Sequence, residues 1–343
     1  DATGLLVVPG LIDLHVHVFS GMGIFSIDPA EAGLRVGVTT MLDTGTAGAL
    51  TYPTFHRFVI SQAKEDVFAL LNISMIGCIQ GHPDIPPYMG DLNDARHAHA
   101  PSAVECIQRC RDRIIGTKVR LTAGLANNRE ENERAGLKGA LEAAARTGLP
   151  CMVHHVKSSI PTGEMLDSMR SGDIVTHLYH PCTDRAFSVK TSAPLDALLR
   201  ARERGVIFDV GHGVGAFAWS TATPACQQHG FWPDTISTDN HQFNINSPVF
   251  DMATTMSKFL HLGMPLEKVL QACTAAPARA MRLENRFGRL LPERKADITI
   301  MRIETGKFML IDSVGESRGA DRKLVAVKTF KNGAPVDCAP PLH

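Results

Sequence analysis

Two histidines stand two positions apart in the apolar run VVPGLIDLHVHVFSG, residues 7–21. In a β-strand, residues i and i+2 point to the same face, so His15 and His17 would project together from one side of a buried strand. Ionisable groups in such a strand cost free energy unless they are paired, hydrogen-bonded or bound to a metal. A single histidine there is more often a satisfied core residue, and the HxH spacing alone is a weak metal signal.

The same kind of group recurs in later apolar runs. These groups are Lys118 in IIGTKVRLT, His154 and His155 in PCMVHHV, His177 in DIVTHLYH and Asp239 in TISTDNH. Imidazole and carboxylate ligands suit a divalent ion such as zinc. Their repetition from run to run therefore favours a metal site over a set of unrelated core residues.

Lys118 is the most informative member of this set. A buried ammonium beside metal ions would be repelled by them. The conflict disappears if the neutral amine reacts with carbon dioxide to give a carbamate, an anion whose two oxygens can bridge two metals. The lysine therefore indicates a binuclear centre.

Eight short apolar runs alternate with helix-like segments, which is typical of repeated βα units around a parallel sheet. Over about 250 residues this pattern predicts an α/β fold, a (β/α)8 TIM barrel, with its active site at the C-terminal ends of the strands. No GxGxxG follows the first strand, so an open nucleotide-binding sheet is the weaker alternative. The predicted strands are 11–18, 38–45, 68–78, 115–122, 150–156, 173–180, 206–213 and 235–241.

The pattern divides the chain into a metallohydrolase-sized barrel, residues 9–283, and a C-terminal β element, residues 284–343. The second contains short strands and an Asn-Gly turn, so a minor β element is predicted there. Because the chain does not begin with Met, we expect that something precedes Asp1. The Pro/Gly-rich loop 81–101 is expected to lie over the barrel mouth.

The charge balance and the cysteine content indicate which classes of partner and which cellular compartment to expect. Thirty-five basic residues balance thirty-five acidic ones, so neither a nucleic acid nor a membrane surface is predicted, and a small molecule is the expected ligand. No apolar run approaches the roughly 20 residues of a membrane span. The eight scattered cysteines are typical of reduced thiols in a cytoplasmic protein. Homo-oligomerisation is left open.

In this order along the chain, PGLIDLHVHV, GTKVRLT, MVHH, THLYH and ISTDNH resemble the amidohydrolase superfamily in its binuclear, carboxylated-lysine subtype. The resemblance covers the barrel and is strongest to dihydroorotase-like amidohydrolases and deacetylases. It implies a small, partial β-sandwich accessory domain formed by residues 1–8 and 284–343. It also implies two divalent metal ions, with zinc expected. One ion would be held by His15, His17 and Asp239 and the other by His154 and His177, with carboxylated Lys118 and a hydroxide between them.

His154 is expected to be the ligand rather than His155, because adjacent residues on a strand face opposite sides. The resemblance further implies hydrolysis of an amide or ester by the hydroxide, with Asp239 as general acid and base. The leading hypothesis is deacylation of an N-acyl or O-acyl carboxylic acid.

Dihydroorotase or another cyclic amidase is the main alternative. Against it, the sequence reads HVHVF, with Phe19 where an arginine of that activity would fall. A deaminase is disfavoured because such enzymes generally use one metal and no lysine ligand. A catalytically inactive binding or scaffold barrel is disfavoured because all the ligands are present.

Four residues are candidates for substrate binding: Arg120, Tyr179, Arg185 and His212. The first two share the parity of nearby ligands, and the last two lie on loops after predicted strands. A guanidinium near the metals would suit a substrate carboxylate, bound in bidentate fashion. The alternative for either arginine is a structural ion pair with a loop carboxylate.

Overall fold

Two β-sheets make up the framework of the computed structural model, which describes residues 1–79 and 90–340. One is a parallel sheet of seven strands in chain order, β2 to β8, and the other is antiparallel with the order β1-β9-β10-β11. Their bounds are β1 Leu6–Pro9, β2 Leu11–Val16, β3 Val38–Gly48, β4 Asp66–Asn72, β5 Ile114–Leu121, β6 Cys151–His155, β7 Ile174–Thr176, β8 Ile207–Phe208, β9 Ile298–Ile311, β10 Ser317–Lys331 and β11 Ala334–Asp337.

Helices follow the parallel strands and cover the outside of the sheet. With one face against helices and the other inside a barrel, parallel strands are buried on both sides, and β3 is buried along its whole length. None of the described helices is long and apolar enough to span a bilayer. The α-helices are α1 Pro29–Ala32, α2 Tyr52–Phe55, α3 Ala100–Arg109, α4 Glu130–Thr147, α5 Thr162–Ser168, α6 Asp196–Glu203, α7 Trp219–Thr223, α8 Met252–His261, α9 Leu266–Ala272 and α10 Ala275–Ala280.

Residues 235–240 close the parallel sheet between β8 and β2. The segment is not a regular strand, but it makes parallel bridges from Thr235 to Asp209 on one side and from Asn240 to Val16 on the other. Backbone hydrogen bonds join it to both neighbours. The predicted (β/α)8 barrel is confirmed, with an irregular eighth strand in place of the regular one expected over 235–241.

Several strands end earlier than the sequence predicted. β7 ends at Thr176 rather than at residue 180, and β8 ends at Phe208 rather than at residue 213. Beyond these ends the backbone leaves the extended conformation, with φ of 64° at His177 and 53° at Asp239. Positive φ is uncommon for residues other than glycine and concentrates at functional sites. The alternation on which parity arguments depend therefore stops at the candidate ligands.

The antiparallel sheet is joined to the barrel by a buried charge cluster. β1 pairs with β9, so residues 6–9 lie in the same sheet as the C-terminal strands. At the end of β10, the buried Lys331 ammonium donates to Asp66 of β4 and to Asp297, each at 2.7 Å, and to the Thr39 carbonyl at 3.1 Å. Of the loop expected over the mouth, residues 81–89 lie outside the described residues.

Replacing Lys331 with Met should lower the free energy of unfolding by about 3–5 kcal/mol, because two buried carboxylates would lose their shared cation. The control is Lys328→Met on the same strand, where Lys328 pairs at 3.0 Å with the exposed Asp337. That pair should contribute less than about 1 kcal/mol. Urea unfolding followed by circular dichroism measures both, and equal losses would show that the buried cluster has no special role.

Candidate metal centre and active-site cavity

A cavity of about 280 Å³ opens at the C-terminal ends of the barrel strands. All six predicted ligand positions line it: His15, His17, Lys118, His154, His177 and Asp239. His15 lies at the end of β2 and His17 directly after it, while Lys118 lies on β5 and His154 on β6. His177 follows β7, and Asp239 lies in the segment 235–240 that closes the barrel. The chain therefore brings together residues that are up to 224 positions apart in sequence (239 minus 15).

The carboxylate of Asp239 lies at the centre of this group. Its Oδ1 atom is 3.2 Å from Nε2 of His15 and 3.2 Å from Nε2 of His17. One donor atom each from His15, His177 and Asp239 lies within 4.8 Å of the others. Which of the facing nitrogens carry a proton decides whether these contacts are hydrogen bonds.

The tautomer of His15 follows from its neighbours. Thr176 donates its single hydroxyl proton to the Asp209 carboxylate at 2.8 Å, and the same carboxylate accepts the hydroxyls of Thr235 and Ser237. The Thr176 oxygen, 2.9 Å from Nδ1 of His15, is therefore an acceptor there. Nδ1 must carry the proton, and Nε2 presents a lone pair to the cavity.

His17 is fixed in the same way by a different pair. The Thr46 hydroxyl donates to Asp43 at 2.7 Å, and its oxygen lies 2.8 Å from Nδ1 of His17. Burial raises the pKa of Asp43 to about 6, so the carboxylate is ionised at pH 7. Nδ1 of His17 is therefore the protonated nitrogen, and its Nε2 also faces the cavity with a lone pair.

The remaining two histidines are oriented by hydrogen bonds to acceptors. Nδ1 of His177 donates to the Gly211 carbonyl at 2.7 Å, which leaves Nε2 free. Thr122 donates to the Val156 carbonyl at 2.9 Å, so Nε2 of His154, 3.0 Å from the Thr122 oxygen, is the donor of that contact. His154 therefore presents Nδ1, and its ring lies 4.4 Å from the ring of His177.

These tautomers make the centre repulsive without a cation. The Asp239 Oδ1 atom is buried, has no hydrogen-bond partner among the described residues, and faces the lone pairs of His15 and His17. Burial lowers the pKa of His15, His17 and His154 well below the usual value, and that of His177 to about 4, so the imidazoles are neutral. Neutral imidazoles and a carboxylate are the donors that a divalent metal such as zinc takes.

Lys118 lies beside these donors without an anionic partner in contact among the described residues. Its side chain is fully buried, with Nζ 3.4 Å from His15 Nε2 and 3.4 Å from the Met152 sulfur. Burial lowers the pKa of the ammonium to about 8. A large share of the amine is therefore neutral in mildly alkaline solution, and this is the form that reacts with carbon dioxide.

Two carboxylate–hydroxyl pairs that set the tautomers were not singled out from the sequence: Asp43 with Thr46, and Asp209 with Thr176. Both aspartates interrupt apolar runs, MLDTG and IFDVG, so the cost of burying a charge could have revealed them. Gly211 was also missed. A Cβ there would lie 2.2 Å from the Thr176 hydroxyl, so a glycine is needed for the imidazoles to reach their partners.

Arg120 lines the cavity as predicted, but its guanidinium is already paired. Its Nε atom donates to Asp91 at 2.8 Å, and a second guanidinium nitrogen contacts the other oxygen of the same buried carboxylate. Asp91 belongs to the predicted mouth loop 81–101, so the structural ion pair considered as an alternative is present. Asn72 donates to the same carboxylate at 3.0 Å.

Tyr179, Arg185 and His212 are not part of the cavity wall that the described residues form. The Tyr179 hydroxyl donates to the Phe231 carbonyl at 2.9 Å, and Arg185 donates to the Pro181 carbonyl at 2.9 Å. His212 is buried. For Tyr179 this placement differs from the inward position expected from strand parity, because β7 ends at Thr176. Arg185 and His212 were expected on loops after predicted strands, and neither loop brings its residue into the cavity wall of the described residues.

His212 instead accepts a hydrogen bond from a buried lysine of α8, Lys258, at 2.7 Å. His155 is likewise absent from the cavity wall, and its Nε2 donates to the Ile160 carbonyl at 2.8 Å. The expected choice of His154 over His155 agrees with these positions.

Comparison with known proteins now supplies the family. Residues 6–183 and 220–336 match the model of the amidohydrolase family. The chain belongs to this family. It is 32% identical over 316 residues to a protein named deacetylase from Agrobacterium fabrum, covering 92% of this chain and 75% of the relative.

Two solved structures share the fold of this amidohydrolase. One, titled as an adenine deaminase, is 32% identical with a TM-score of 0.89 and covers 97% of this chain and 88% of its own. The other, titled as a dihydroorotase, is 30% identical with a TM-score of 0.85, and the match covers 97% of this chain and 86% of the other. The prediction of a hydrolase acting on amide bonds is confirmed, while the different names leave the substrate open.

The low pKa of Lys118 leads to a prediction for reactivation of the metal-free enzyme. At constant dissolved carbon dioxide and saturating Zn²⁺, the rate of reactivation should rise between pH 7 and 9 and level off above it. The neutral amine increases from about a tenth to about nine tenths of the total across a pKa of about 8.

Stopped assays after timed reconstitution measure this rate. Omitting carbon dioxide is the control and should prevent reactivation. A rate that is independent of carbon dioxide would contradict carboxylation of Lys118.

Proposed function

We propose that this amidohydrolase is a binuclear metal-dependent deacylase that removes the acyl group of an N-acyl or O-acyl carboxylic acid. The observation that carries the proposal is that four neutral imidazoles and the Asp239 carboxylate line one cavity beside the buried amine of Lys118. The relative named deacetylase supports the reaction type. A cytoplasmic location, favoured by the eight free cysteines, is part of the proposal.

In this proposal His15, His17 and Asp239 would hold one divalent ion and His154 and His177 would hold the second. Carboxylated Lys118 would supply an anionic ligand to both, which accounts for a buried amine that contacts no carboxylate of the described residues. When bound, two ions of this kind, for which we propose zinc, acidify a shared water and polarise the substrate carbonyl.

The chain's own groups then orient the substrate and move the proton. Among the described residues Asp239 is the one carboxylate in the cavity wall, so it accepts the proton of the nucleophile and returns it to the leaving nitrogen or oxygen. Phe25, Leu125, Val156 and Ala216 provide an apolar wall that keeps bulk water from this exchange.

Replacing Asp239 with Asn should lower kcat about 10²–10⁴-fold, because the amide cannot take the proton. Metal content should be retained, since the amide oxygen can still coordinate. Steady-state assays and elemental analysis on the same preparation measure both quantities. Unchanged turnover would remove Asp239 from the proton-transfer role.

A substrate carboxylate needs a cation in the cavity whose charge is not already neutralised. The Arg120 guanidinium is paired with Asp91, whereas Lys157 lines the cavity, is exposed, and forms no salt bridge with a carboxylate of the described residues. Its φ of 54° turns the chain directly after β6. We therefore propose that Lys157 binds the substrate carboxylate, while the Arg120–Asp91 pair maintains the wall.

Replacing Lys157 with Met should raise KM about 10-fold or more for an acylated carboxylic acid, because a charge-assisted hydrogen bond contributes about 1.5–3 kcal/mol. The same variant should leave KM unchanged for the corresponding methyl ester. Lys190→Met, on an exposed loop outside the cavity wall, is the matched control. An equal rise in KM for the acid and its ester would contradict this role.

Cyclic-amide hydrolysis remains the second candidate because a structure titled as a dihydroorotase shares the fold at a TM-score of 0.85. Phe19 is buried and stacks on Phe55 at 4.7 Å, so position 19 supplies no cation to the cavity. Parallel assays with N-acetyl amino acids, O-acetyl hydroxy acids of both hands, dihydroorotate and hydantoins decide between them. Turnover of the acyl acids is expected; turnover of the cyclic amides alone would overturn the proposal.

A further inference from the structure

A second group of metal-binding side chains lies next to the catalytic cavity. It comprises His180, Cys182 and Asp184, which follow β7 on one loop, and one donor atom from each lies within 4.8 Å of the others. His180 is only 4% exposed. The catalytic scheme described above uses none of the three.

Two buried atoms of this group have no hydrogen-bond partner among the described residues: Nδ1 of His180 and Oδ1 of Asp184. They face each other at 4.0 Å, which is too long for a hydrogen bond. Two ligands on one tetrahedral zinc, with bonds of about 2.0–2.3 Å, lie roughly 3.3–3.8 Å apart. A closure of a few tenths of an ångström would therefore suit a shared ion.

His155 supplies a fourth donor from β6. Because its Nε2 donates to the Ile160 carbonyl, its Nδ1 carries a lone pair, and this atom lies 3.7 Å from Oδ2 of Asp184. The backbone amide of Ser158 donates to the same carboxylate oxygen at 2.9 Å and holds it in place. In the neutral imidazole, this lone pair and the carboxylate oxygen face a common position that a cation can occupy.

The space between these residues suits an ion and no larger ligand. A cavity of about 10 Å³ is lined by His155, His180 and Asp184, close to the smallest volume that holds one water. Cys182 lines the neighbouring catalytic cavity instead, and its sulfur lies within 4.8 Å of the His180 and Asp184 donor atoms. Two imidazoles, a thiolate and a carboxylate form the mixed nitrogen, sulfur and oxygen set that zinc accepts. The Cys182 thiol would release its proton on binding, as metal-bound thiols do.

We propose that His155, His180, Cys182 and Asp184 form a structural zinc site outside the catalytic centre. The ion ties the loop after β7 to the end of β6. This loop begins at His177, three residues before His180, so the site would hold a catalytic ligand in position. The proposal does not rest on the catalytic reaction and remains testable if that reaction differs.

Cobalt spectroscopy of the whole chain separates the two centres. The catalytic set contains only nitrogen and oxygen donors, so a thiolate-to-cobalt charge-transfer band in the near ultraviolet would report Cys182. Metal-free protein reloaded with Co²⁺ should show this band and bind about three ions. Cys182→Ala and Asp184→Asn should each remove the band and about one ion, and Asp184→Asn retains an oxygen to accept from Ser158.

Two further variants complete the test. Cys106→Ser changes a half-buried thiol on α3 and should leave the band intact. His15→Asn alters the catalytic centre and should keep the band while lowering activity, so failure of the deacylase proposal is distinguishable. Absence of the band in saturated wild-type protein would overturn the site. A band that is lost in Cys182→Ala but retained in Asp184→Asn and His180→Gln would assign Cys182 to the catalytic metals and also overturn it.

Discussion

The Asp239 carboxylate oxygen lies 3.2 Å from two imidazole nitrogens that both carry lone pairs, and this contact constrains the rest of the barrel. Three electron-rich atoms in a buried site repel one another, so a cation beside them is stabilising. The Lys118 ammonium, 3.4 Å from His15 Nε2, can supply that charge until the amine loses its proton, and a divalent metal supplies more of it. The protein fixes this arrangement in advance, because Thr176 and Thr46 hold the ring protons on the far nitrogens. Metal affinity is thereby built into the hydrogen-bond pattern.

The barrel geometry follows from the same requirement. In a regular eighth strand, successive side chains would point to opposite faces of the sheet. Residues 235–240 make only isolated bridges instead, and Asp239 has a φ of 53°. His177 has a φ of 64° just past the end of β7. Backbone strain of about 1–3 kcal/mol per residue at such positions is typical of sites where structure serves function. The regular strands β2 to β6 provide the rigid framework that holds His177 and Asp239 in these strained conformations.

The sequence predicted the barrel and the six residues in the cavity wall because buried ionisable groups are conspicuous in apolar strands. It was less informative where the strands end: Tyr179 lies past the end of β7, so strand parity did not apply to it, and no pattern fixes the direction of the loop residues Arg185 and His212. The pairing of Arg120 with Asp91 could not be inferred because the two are 29 residues apart. Lys157 was missed because it lies beyond β6, where no strand pattern marks it.

The donor group of His155, His180, Cys182 and Asp184 could not be predicted from the sequence for a similar reason. His155 has the wrong parity for the cavity and was expected to support the site or pack, while His180 and Asp184 fall in a predicted strand end and a loop. Only the folded chain shows that their donor atoms converge. The tautomer of a histidine decides which of its nitrogens can bind a metal, and it depends on hydrogen bonds between distant segments of the chain.

We propose that two divalent ions, together with a carboxylated Lys118, occupy the barrel cavity. A crystal structure of the zinc-loaded enzyme, with anomalous diffraction at the zinc edge, would locate them. We expect two anomalous peaks in the cavity, one beside His15, His17 and Asp239 and one beside His154 and His177, with carbamate density on Lys118. A single peak next to an unmodified lysine would contradict it.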